Sequence, residues 1–68
     1  MTNVELLKEK VAKSGLKTVF IAESIGISRA SWYNKLNGKT KFTAEEIKKL
    51  CDTLRITSLR EREEIFFS

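Results

Sequence analysis

The sequence predicts an all-α fold, a compact bundle of about five short helices, and three observations predict it. Proline is absent and only three glycines punctuate the 68 residues, so few positions break a helix. Apolar residues recur at spacings of three and four rather than two. A hydroxyl residue stands three positions before a glutamate at Thr2 and Glu5, at Thr43 and Glu46, and at Ser58 and Glu61. At that spacing hydroxyl and carboxylate satisfy each other's orphan backbone donors at a helix start.

Taken in order, Thr2 caps a first helix in which Val4, Leu7 and Val11 face inward, and Ser14-Gly15 ends it. Leu16 anchors the turn. A short second helix starts at Lys17 or Thr18 and runs to Ser24 or Ile25, with Ile21, Ala22 and Ile25 as its inward stripe. Gly26 closes it and Ile27 returns an apolar side chain to the core. Ser28 caps a third helix that runs to Leu36 or Asn37 and stops at Gly38. Lys39 to Phe42 form a basic connection. Thr43 opens a fourth helix with Ile47, Leu50, Cys51 and Leu54 inward, and Ile56 marks its exit. Ser58 opens a short fifth helix over about 59–66, with Leu59 and Ile65 or Phe66 inward.

Composition narrows the function. With 41% hydrophobic and 32% charged residues the chain suits a folded domain rather than a disordered tail. The longest apolar run, Val19 to Ala22, is too short to span a membrane, and no secretory signal pattern opens the sequence. A cytoplasmic location is the default expectation. Cys51 is the single cysteine and histidine is absent. An internal disulfide is thereby excluded, and so is a cysteine cage for metal; the usual catalytic base is missing. The expectation is no enzyme, no metal, no cofactor and no small-molecule substrate. The paired glutamates Glu45-Glu46 and the acidic residues of 61–64 suit helix starts and solvated faces.

The net charge of +4 is unevenly placed. Residues 17–41 hold Lys17, Arg29, Lys35, Lys39 and Lys41 against Glu23 alone. An anionic partner is expected there.

That same stretch contains a helix-turn-helix pattern. Such a motif needs a small residue where its two helices touch, a glycine in the tight turn and apolar residues that hold the angle. Ala22 supplies the first, Gly26 the second, and Ile21, Ile25, Ile27 and Trp32 the third. With Asn37-Gly38 after the third helix and a basic loop beyond, the chain resembles the Cro and repressor family of lambdoid phages, the XRE-type helix-turn-helix domains. The resemblance covers nearly all of residues 1–68, which are expected to form one DNA-binding domain. It implies a small Cro-like phage or prophage regulator that occupies double-stranded operator DNA and represses transcription, either monomeric or weakly dimerising, with any homodimer formed or strengthened on DNA. The chain's length suits this better than a full repressor.

In that family the third helix lies in the major groove. The resemblance assigns base contacts to Ser28, Arg29, Ala30, Tyr33 and Asn34, and phosphate contacts to Lys17, Thr18, Asn37, Lys39 and Lys41. Arginine pairs with guanine, asparagine with adenine, and alanine meets the thymine methyl. A helical wheel puts Trp32 and Leu36 on one side and Ala30, Asn34 and Asn37 opposite, with Arg29 nearer the inward side. The chain departs from the family at Thr18, where glutamine is common, at Phe20, where a polar residue is usual, and at Leu36, one position later than in many members. Trp32 and Cys51 are expected in the core, and Phe20 as cover at its edge in preference to a contact with a partner; Tyr33 suits a groove contact or a surface ring equally. Phe66 and Phe67 are open between core and a dimer contact. Two other functions remain open: an adaptor that presents the third helix to a protein, and a nucleoid or RNA-binding protein without sequence choice.

Overall fold

Each helix of the protein starts and stops where its side chains or turns dictate. The computed structural model describes residues 2–67, as α1 (Val4–Ser14), α2 (Thr18–Ile25), α3 (Arg29–Leu36), α4 (Ala44–Leu54) and α5 (Leu59–Phe66). Asn3, not Thr2, caps α1: its Oδ1 accepts the Leu6 N–H at 3.1 Å. The backbone N–H of Asn3 donates to the Ile65 carbonyl, which ties the start of α1 to the end of α5. The helix starts one residue later than the Thr2–Glu5 spacing suggests, because the asparagine beside Thr2 is the stronger cap.

Thr43 and Glu46 form the reciprocal capping box of α4. Ser58 caps α5 by accepting the Glu61 N–H, without a return bond from Glu61. α4 ends on Arg55 in the left-handed region, at φ 56°, where the other left-handed turns use glycine.

Every helix gives the core one wholly buried side chain: Leu7, Ile21, Trp32, Leu50 and Ile65. Leu6, Val11, Leu16, Ile27 and Leu36 pack around them partly buried. Cys51 lies in the core as expected. Phe42 also does, although it belongs to the connection between α3 and α4. Its ring sits 6.0 Å from Trp32 and meets Phe66 edge-on at 5.8 Å. The basic connection is therefore pinned at its last residue.

Two expectations for apolar side chains fail. Leu59 is 69% exposed: it shares a stripe with Phe66 but stands seven residues earlier, ~10 Å along the helix axis, past the edge of the core. Phe20 is 54% exposed rather than core cover, because Ile21, Ala22 and Ile25 already take the inward face of α2. No helix among the described residues is long and apolar enough to cross a membrane.

Candidate nucleic-acid interface

The geometry of α3 follows from how α2 is held. α2 packs on α4, with Ile21, Ala22 and Ile25 buried. A polar tie reinforces this, with Thr53 Oγ1 2.8 Å from Ser24 Oγ, whose own hydroxyl donates to the Ile21 carbonyl. Gly26 then takes φ 78°, a left-handed conformation that a side chain would strain. The turn closes as Ile27 N–H donates to the Ala22 carbonyl at 3.1 Å. Ala22 is buried at this turn, as the motif requires. Two residues later Ser28 caps α3, its Oγ accepting the Ser31 N–H.

Trp32 fixes which way α3 faces. Its side chain is wholly buried, and Leu36, one turn on, packs against the core. Arg29, Ala30, Tyr33 and Asn34 of α3 are exposed, with Ser28 exposed at the helix start; Ala30 and Asn34 lie opposite Trp32 and Tyr33 on the flank. Arg29 is exposed although the wheel put it nearer the core. At the first helical position its side chain leans back beyond the helix end, where no core lies. All five residues expected to meet bases are therefore exposed.

Electrostatics favour an anion beside that surface. The first turns of α2 and α3 contain no acidic residue, whereas those of α1, α4 and α5 do. α2 also has no side-chain cap: Lys17 holds the N-cap position, and the first amide to bond within the helix is that of Ile21. The amides of Thr18, Val19 and Phe20 point out of a helix start that carries partial positive charge, a geometry suited to phosphate. Lys17 is exposed and Thr18 partly so.

The segment after α3 folds back on it. Gly38 N–H donates to the Lys35 carbonyl, and the amides of Lys39 and Thr40 both donate to the Asn34 carbonyl. Gly38 has φ 79°, and a Cβ there would come within 3.2 Å of Val4 Cγ2. This loop presents Lys39 and Lys41 to solvent. Asn37 is exposed, but one of its amide hydrogens is donated to the Tyr33 carbonyl at 2.9 Å, so only the rest of its side chain is free.

Two residues change standing. Lys35 counts in the basic middle of the sequence, yet its Nζ lies 3.0 Å from Glu46 Oε1 and donates to the Lys41 carbonyl at 2.8 Å. Its charge is spent inside the protein. Phe66, open between core and dimer contact in the sequence, is buried against Phe42. Phe67 is 61% exposed and borders a shallow groove of about 410 Å³ with Phe42, Ile47 and Phe66 in its wall.

A short helix braced on a core, a glycine turn and a second helix with one polar face outward define a helix-turn-helix DNA-binding domain. The family model of the Cro/C1-type HTH DNA-binding domain matches residues 6–60, and the chain belongs to that family. No curated protein and no solved structure matches it.

Proposed function

We propose that the protein is a sequence-specific transcriptional regulator that inserts α3 into the major groove of operator DNA and represses by occupying the site, in the manner of a Cro-like phage or prophage repressor. The observation that carries this reading is the exposure of Arg29, Ala30, Tyr33 and Asn34 on a helix whose Trp32 is wholly buried. Arg29 supplies a fork for guanine, Asn34 a bidentate amide for adenine, and Ala30 a methyl for thymine. Ser28 and Tyr33 complete the reading surface. Lys17, Thr18 and the open amides of α2 grip phosphate on one side of α3, and Asn37, Lys39 and Lys41 grip it on the other. A half-site is bound by one protomer, and a second copy joins through exposed Phe67, giving the two-fold symmetry of a palindromic site.

Selection from random duplex DNA tests the reading, followed by affinity for the winners across salt concentration. The expected result is a palindrome bound at least ~10³-fold more tightly than random DNA, with affinity falling steeply as salt rises. Asn34→Ala should then relax preference at one base pair per half-site, at a cost of about 1–3 kcal/mol. Absence of any enriched sequence, with weak binding at every salt concentration, overturns the reading in favour of an adaptor whose third helix contacts protein. Strong binding without enrichment points instead to a binder with no sequence choice.

A further inference from the structure

We propose that Lys35 and Glu46 form a clasp that sets the position of the basic loop 37–42 beside α3, which makes both of them positioning residues for phosphate contact. The inference rests on the DNA-binding reading above and assigns a role to two residues that touch no DNA in it.

The clasp joins three elements at one ammonium group. Lys35 belongs to the last turn of α3. Its Nζ lies 3.0 Å from Glu46 Oε1 on α4 and donates to the Lys41 carbonyl at 2.8 Å. The same Nζ stands 5.8 Å from the centre of the Phe42 ring, which is a cation–π distance. Glu46 Oε1 also accepts the Thr43 N–H at 2.9 Å, so one carboxylate oxygen fixes both the first residue after the loop and the lysine before it. Both side chains are largely removed from solvent, at 11% and 16% exposed. This separates the pair from the open surface pair Glu9–Lys13.

Burial alone would raise the Glu46 carboxyl pKa. The Thr43 amide and the Lys35 ammonium outweigh it and hold the group below its ordinary value, so Glu46 is ionised when the clasp is closed. Between the clasp's two arms the chain has a single route. Lys39 and Thr40 are tied back to Asn34, Lys41 is held through its carbonyl, and Phe42 enters the core. With the carbonyl of Lys41 directed at Lys35, the side chains of Lys39 and Lys41 are left facing solvent. The clasp therefore spends one positive charge internally and orders two others for an external anion.

The sign of one charge change separates this role from plain electrostatics. Glu46→Gln adds one unit of positive charge while keeping an oxygen that can accept the Thr43 N–H. If net charge alone governs affinity, that variant binds DNA more tightly. A positioning role requires that it bind more weakly. Glu46→Gln and Lys35→Met are each expected to weaken binding to the selected duplex by about tenfold, the equivalent of one charge-assisted hydrogen bond. The double variant should lose no more than either single one, and Lys35→Arg, which preserves the ion pair, should bind like the parent. Titrations are run below the unfolding transition of each variant, set by its Trp32 fluorescence.

A Lys35→Met variant with a salt slope lower by about 0.9, beside a Glu46→Gln variant that binds more tightly, shows Lys35 on a phosphate and overturns the clasp. Parental affinity in both single variants overturns it as well. In either case the parent still binds its duplex, so the DNA reading survives. A parent that binds no duplex overturns both.

Discussion

Replacement of Phe42 tests whether the connection after α3 is part of the core or a tether. Phe42→Leu keeps an apolar side chain of similar bulk but removes the ring that meets Trp32 at 6.0 Å and Phe66 at 5.8 Å. Each such aromatic pair adds about 0.5–1.5 kcal/mol beyond area burial, so losing both costs ~1–3 kcal/mol. Phe42→Ala would cost ~3–5 kcal/mol. A 68-residue domain holds ~3–10 kcal/mol in total, so alanine leaves the fold near its limit and leucine is the informative change. Urea unfolding followed by Trp32 fluorescence is the natural assay, because the protein's one tryptophan is itself wholly buried beside the substituted ring. With a slope of ~1 kcal/mol per molar urea, the midpoint should fall by about 1 M or more without a change in slope. A surface loop residue would shift stability by less than ~0.5 kcal/mol. A Phe42→Leu midpoint inside that range would refute the placement of Phe42 in the core, and with it the anchoring of the basic loop.

Arg55 holds a left-handed φ of 56° at the end of α4. Arg55→Gly is expected to stabilise the protein by about 1 kcal/mol, since glycine carries no Cβ penalty there, and thermal unfolding with no rise in melting temperature would count against that strain. Burial pushes the Cys51 thiol pKa up, with Arg62 opposing and Asp52 and Glu61 reinforcing the shift. A folded-state pKa above the unfolded value favours the protonated form, so the thiol's contribution to stability is complete below the ordinary thiol pKa and lost as pH rises through the folded one. Alkylation at pH 8 should accordingly be slow in the native protein and fast in urea; equal rates would place Cys51 at the surface.

The elements that the sequence discloses are those whose signals are local. The α2–α3 unit was legible because its parts lie within a few residues of one another: Ala22 four residues before Gly26, Ser28 as cap, and Trp32 with Leu36 as the inward side. The α4 capping box is equally local. What stayed hidden depends on partners far along the chain. Asn3, which caps α1 in place of Thr2, also bonds through its backbone to Ile65, 62 residues later. Phe42 looked like the end of a polar connection because nothing nearby announces that Trp32 and Phe66 close around it. Leu59 fits the stripe of α5 on a wheel, but a wheel has no length, and the core ends before that residue.

The same distinction governs the charge. Five cations between residues 17 and 41 suggest five contacts to an anion, yet Lys35 is paired with Glu46 across 11 residues of sequence. Lys17, Arg29, Lys39 and Lys41 enter no ion pair among the described residues. If all four met phosphate, side chains would set a salt slope of at most about −3.6 per protomer, and Arg29 lowers this further if it is on a base. On the proposed reading the open amides of α2 would add affinity with little effect on that slope, since they carry no full charge to displace a cation from the DNA. On the proposed reading the protein would draw its hold on DNA from a few cations kept in fixed places rather than from many. The order of the loop after α3 would then matter as much as its composition.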